Sequence, residues 1–230
     1  FILVILMKLM SIVLTDFYVA IVVRGSLELQ EQKANNINLV TAGHYLPIVI
    51  ESIKKARKSG LTIPIVYNSS GYEKVEAIEA LNGIVDIFLP DFKYISSEMA
   101  ARYSNAPDYP EVAKRALAQM VKQTGDAKFD ERDMMKRGVI VRHLILPGHI
   151  KESKKAIRYL YETYGDQIYI SIMNQYTPMP GIEKRFKNLG RTITQREYDE
   201  VVDYAVDLGV ENGFIQEGET AKESFIPQFD

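Results

Sequence analysis

From residue 37 onward, short and almost continuously apolar runs alternate with amphipathic stretches. The runs are Ile37 to Val40, Ile63 to Tyr67, Val85 to Leu89, Val139 to Leu146 and Ile168 to Met173. Strands exposed on one face alternate apolar and polar residues, whereas unbroken runs of this length mark parallel strands covered on both faces. The stretches between them, Leu46 to Ser59, Tyr72 to Leu81 and Lys151 to Tyr164, carry helical periodicity. Lys54, Lys55, Arg57 and Lys58 gather at the C-terminal end of the first, where they complement the negative end of the helix dipole. A further helix is expected from Thr192 to Gly209, with Thr192 or Thr194 as N-cap and Gly209 as its stop, and Gly213 to Gln216 reads as a last short strand.

Two regions break this rhythm. Ile95 to Lys136 holds two or three helical stretches, including Glu111 to Thr124, where one crossover helix suffices, so 95–136 reads as a helical insertion over one rim. The first 23 residues are almost wholly apolar, a length that fits a membrane-spanning helix. Lys8 and Asp16 interrupt the run, each at a cost of roughly 2.5 to 3.5 kcal/mol in mid-membrane. The β-branched content favours two buried strands or a strand–helix start over a signal or anchor segment.

The chain has 230 residues, with no internal repeat or linker, and one α/β domain over 1–230 is the expectation. Six or so parallel strands with outer helices either close toward a barrel or wind around an open sheet. With 28 basic and 30 acidic side chains, the charge points to neither nucleic acid nor an anionic membrane as partner. There is no cysteine, which excludes disulfides, thiol nucleophiles and thiolate metal sites within this chain. The first residue is Phe1, which reads as the start of a fragment or a processed chain.

Ligands of parallel α/β folds bind at the carboxyl ends of the strands. The residues after the apolar runs are Thr41-Ala42-Gly43-His44-Tyr45, Asn68-Ser69-Ser70-Gly71-Tyr72, Pro90-Asp91-Phe92-Lys93-Tyr94, Pro147-Gly148-His149 and Asn174-Gln175-Tyr176-Thr177-Pro178. Any one such loop is explained by turn and capping preferences. Five in succession offering hydroxyls, amides, a carboxylate, an amine and imidazoles point to a small polar ligand on that face.

These motifs, INLVTAGHY, IPIVYNSSGYE, VDIFLPDFKY, VIVRHLILPGH and SIMNQYTPMP, appear in one order across residues 34 to 216. In that order they resemble the uncharacterised iron–sulfur proteins related to pyruvate formate-lyase activating enzyme, within the radical S-adenosylmethionine superfamily. The resemblance implies a partial (β/α)6 TIM-like barrel, S-adenosylmethionine beside a [4Fe–4S] cluster, and reductive cleavage to a 5′-deoxyadenosyl radical. It also implies a cytoplasmic protein acting on a protein or peptide substrate. By the same resemblance, Thr41, Gly43 and His44 contact the ligand's amino group, while Asn68, Ser69 and Ser70 meet the cofactor or a cation. Asp91 and Lys93 match an Asp-x-Lys pair, Arg142 faces the carboxylate, and Gln175 joins them from the last loop. A zwitterionic sulfonium ligand independently requires acceptors near its ammonium and donors near its carboxylate.

The departure lies in the C-x3-C-x2-C motif that this family places after its first strand. Here the corresponding stretch, Ser11 to Arg24, has no cysteine, and Asp16 and Tyr18 are no substitute for thiolates. Residues 1–33 are thus degenerate or atypical, and the expectation is a chain without radical chemistry, either a damaged, inactive copy or a binding protein that keeps the S-adenosylmethionine pocket. Two other readings are a metal-dependent hydrolase or lyase using His44, Asp91 and His149, and a membrane-attached scaffold. His143 falls on the opposite face of its strand from Arg142 and reads as a buried structural histidine. Tyr94, Tyr103, Tyr109, Tyr159, Tyr161 and Tyr164 read as packing residues.

Overall fold

The N-terminal apolar run folds as one helix, α1 (Ile2–Glu31), and not as the strands expected from its β-branched content. Residues 1–34 contain a single glycine, Gly25, and no proline to turn the chain between two strands. A run that long without punctuation satisfies its backbone hydrogen bonds internally as a helix. The computed structural model describes residues 2–215, with side chains from Asp16 onward. Among these residues no helix is long and apolar enough to cross a membrane.

Following α1, the chain runs through β1 (Ile37–Val40), α2 (Leu46–Lys58), β2 (Ile65–Ser69), α3 (Val75–Ala80) and β3 (Ile87–Pro90). The expected insertion supplies α4 (Ser97–Ser104) and α5 (Tyr109–Thr124). A hairpin missed by the sequence pattern joins β4 (Lys128–Phe129) to the start of β5 (Met135–Leu144), whose first residues lie inside the presumed insertion. Next come α6 (Ile150–Tyr164), β6 (Tyr169–Met173), α7 (Gln195–Leu208) and β7 (Gly213–Ile215). Thr194 caps α7 through a reciprocal capping box with Glu197. Gln216 lies outside the described residues.

Six strands run parallel in the order β1-β2-β3-β5-β6-β7, with β4 antiparallel to β5. The sheet does not close, and the architecture is that of a partial (β/α)6 TIM-like barrel. Pro90 has no N–H to donate, so the β3–β5 ladder lapses after Phe88↔Val139 and is re-formed as the Asp91↔Arg142 bridge.

The helices pack on one face of this sheet. Ile37, Ile65, Tyr67, Phe88, Val139, Val141, Ile170 and Ile172 project there against Ile53, Ile78, Leu117, Ile157, Leu160 and Val201. Val66 and Ile87 are also buried but stand apart from that core, on the inner face. At the N-terminal ends of the strands, Arg57 bonds Asp86 at 2.6 Å and the carbonyls of Leu61 and Ile63. Asp86 in turn accepts the N–H of Ile65. The same α2 basic cluster that complements the helix dipole thus also fixes α2 to the β2 and β3 entries. Gln30 secures α1 to the same end through the backbone of Gly60, Thr62 and Ile63.

Candidate functional site

Alternation along β2, β3 and β5 turns Asn68, Asp91 and Arg142 inward at neighbouring strand ends. Arg142 Nη2 donates to Asn68 Oδ1 at 2.7 Å and lies 2.6 Å from Asp91 Oδ1. Lys93 Nζ stands 3.7 Å from the other Asp91 oxygen. Both cations thus face one carboxylate, with the Arg142 and Asp91 side chains 25% and 20% exposed. Arg142 Nε is buried with no acceptor among the described residues. Alongside lies a cavity of about 270 Å³ between Asp91, Lys93, Tyr94, Leu144, Met173 and Tyr176. It sits just under the roughly 300 Å³ lower bound of small-molecule pockets, with a mixed polar and apolar wall of the kind they share.

The other predicted residues are distributed around this group. Thr41 adopts the left-handed conformation with φ 54° and donates its N–H to the Asn68 carbonyl. Gly43 and His44 occupy a 3-10 turn, Ala42–Tyr45. They face Tyr67 and Glu73 instead of Arg142: a Cβ on Gly43 would lie 3.3 Å from Tyr67 Oη and 3.4 Å from the Glu73 carboxylate. Burial raises the pKa of Glu73, opposed by the nearby His44. Ser69 is buried and its hydroxyl accepts the N–H of Gly71, while Ser70 accepts that of Tyr72, so both hydroxyls hold the turn after β2. Gln175 is half-buried in the loop after β6.

On the helix side of β5, His143 is fully buried and its Nδ1 lies 2.7 Å from the Phe92 carbonyl. Burial lowers its pKa, outweighing the opposing effects of the Phe92 bond and of Glu152. His149 Nε2 is 2.8 Å from Tyr103 Oη. Gly148, in the same loop, donates to Glu197 of the α7 capping box. Arg191, first among several donors, holds the Glu197 carboxyl far below the usual carboxylate range.

His44, Asp91 and His149 therefore face three different partners: Glu73, Arg142 and Tyr103. They do not assemble a metal centre, and among the described residues no group of three His, Asp or Glu side chains is placed to hold an ion. The stretch that corresponds to the cluster motif lies within α1, with Asp16 66% exposed and 4.0 Å from Lys55.

The sequence placed Tyr94 and Tyr176 in the strand-end loops without marking them as cavity walls, and it gave no sign of Tyr109 as the partner of two of those loops. An aromatic in a helical insertion carries no mark of where its hydroxyl will point.

No family model matches the sequence. The chain is 28% identical over 172 residues to the uncharacterized protein MJ0674 of Methanocaldococcus jannaschii, covering 75% of this chain and 46% of that protein. It thus spans less than half the length of this curated relative. Among solved structures, it is similar to a domain of pyruvate-formate lyase-activating enzyme from Bacteroides vulgatus ATCC 8482. The TM-score is 0.54 at 13% identity, covering 79% of this chain and 97% of that domain. The likeness establishes a shared fold. At that identity it transfers no residue roles, so the chemistry has to be argued from the side chains.

Proposed function

We propose that this chain is an S-adenosylmethionine-binding domain of the radical S-adenosylmethionine type that holds its ligand at the inner strand ends and carries no iron–sulfur cluster of its own. The observation that carries the reading is Arg142, whose buried Nε has no acceptor among the described residues, within a charged group at the strand ends. A buried donor left unpaired costs about 1–3 kcal/mol, which a ligand carboxylate at this position relieves. Asp91 offers the complementary acceptor for an ammonium or sulfonium, and Lys93 balances the added negative charge. The adjoining cavity offers Leu144, Met173, Tyr94 and Tyr176 to the less polar remainder of such a ligand.

The cluster does not fit these residues. Such clusters are held by cysteine thiolates, and this chain has none. No radical step is therefore assigned to it; its own groups bind and orient the zwitterion. A protein or peptide substrate belongs to the same proposal, as the partner that would approach the open inner face.

Titration calorimetry with S-adenosylmethionine tests the reading. The expected result is binding by the unmodified chain and its loss in Arg142→Ala. Absence of binding by the unmodified chain overturns the site, and a visible cluster chromophore after anaerobic iron reconstitution overturns the cluster-free part.

A further inference from the structure

We infer that Tyr109, contributed by the helical insertion, is a positioning residue that sets the Asp91–Lys93 loop against the loop after β2. The inference rests on the ligand site proposed above for its functional meaning, and on geometry for its structural one.

Tyr109 is the first residue of α5 and is 3% exposed. Its hydroxyl accepts the N–H of Lys93 at 3.0 Å and has two carbonyls within reach of its single hydrogen, those of Asp91 at 2.9 Å and Ser70 at 3.0 Å. One oxygen therefore links three backbone groups in the two loops that follow β2 and β3. Burial raises the phenol's pKa, so the hydroxyl keeps its hydrogen. The loops touch directly as well: Gly71 has φ 75°, and a Cβ there would stand 2.1 Å from the Asp91 carbonyl oxygen. Nothing but glycine allows that approach.

The ring is held independently of its hydroxyl. Tyr72 stacks on it with centroids 5.7 Å apart, and Tyr94, a wall of the cavity, meets it edge-on at 5.6 Å. Removing the oxygen alone thus leaves the packing in place and frees the Lys93 backbone. Because Lys93 Nζ stands only 3.7 Å from Asp91, a shift of that backbone alters the charge facing the ligand.

The test is Tyr109→Phe in the full chain, with Tyr204→Phe as control, since Tyr204 Oη meets only the exposed Arg158 on the far helices. Amide hydrogen exchange read by NMR should show protection at Gly71 and Lys93 falling about tenfold in Tyr109→Phe, the loss of one hydrogen bond's worth, and unchanged in the control. S-adenosylmethionine affinity should fall about tenfold in Tyr109→Phe but by less than about twofold when the change is added to Lys93→Ala, because the effect passes through Lys93. Unchanged protection in Tyr109→Phe overturns the inference outright. Equal affinity losses in both backgrounds also overturn it, since a merely structural residue behaves that way. If the unmodified chain binds no S-adenosylmethionine, the site reading fails, while the exchange measurement still decides whether Tyr109 sets the two loops.

Discussion

Arg142 and His143 are consecutive residues of one strand with opposite fates. Arg142 faces inward, a quarter exposed and held between Asn68 and Asp91. His143 faces the helices, fully buried, with its one hydrogen-bond contact among the described residues at the Phe92 carbonyl. The inner face stays wet enough to keep charge if counter-charge is near; the outer layer admits polar atoms only where they can remain uncharged or are met by backbone donors. One peptide unit separates the charged inner face from a sealed core.

The comparison breaks most severely at Arg142. Arg142→Ala strands Asp91 in a partly buried position, and a stability loss of about 3 kcal/mol is expected in urea unfolding, at the low end for broken buried pairs because water reaches the rim. The outer layer has its own anchor in Glu152, whose Oε1 accepts the N–H groups of Ile95 and Ser96 at 2.9 and 2.7 Å. Glu152→Ala leaves both donors unpaired and should cost about 2 kcal/mol by the same measurement.

Protonation sharpens the contrast further. The folded chain depresses the pKa of His143, chiefly by burial, and that of His149 in the same direction. In the unfolded chain a histidine takes up its proton near pH 6.5. The stability these groups contribute is thus fully present above about pH 6.5 and lost as pH falls below it, by up to about 1.4 kcal/mol per unit for each group. Urea midpoints measured from pH 8 to 5.5 should decline, and the decline should be shallower in His143→Gln. The smallest effect is expected at Tyr67, whose buried hydroxyl has no partner among the described residues. Tyr67→Phe should leave thermal stability unchanged or raise it by up to about 1 kcal/mol, since it removes an unpaired polar atom and keeps the ring.

The strand ends were legible in the sequence because these strands stay largely apolar until the residues where the chain leaves the sheet. That is why Asn68 and Asp91 stood out, whereas Arg142, inside β5, was singled out by the family resemblance and set apart from His143 by alternation. The α1 helix was not legible, since an apolar run with only two charged residues in it has no period to distinguish its two states. The β4 hairpin was hidden by its length, since two residues are too few to show a strand pattern. Ser69 and Ser70 looked like ligand groups, yet their hydroxyls close a turn, a use that serine serves with no outward difference in sequence. Tyr109 was hidden for a topological reason: its value depends on which loops the insertion folds back upon.

That folding back also orders events in time. The site's ties join residues far apart in the chain: Asn68 with Arg142 74 positions on, Ser70 with Tyr109 39 on, and Ile95 with Glu152 57 on. Contacts of such separation require the intervening chain to be closed first, at an entropic cost that slows them relative to neighbouring βα units. The rim should therefore be among the last parts to form during refolding, so that a nascent chain interrupted before Arg142 has most of its helices, and Asp91 and Lys93 without the guanidinium that completes their charged group.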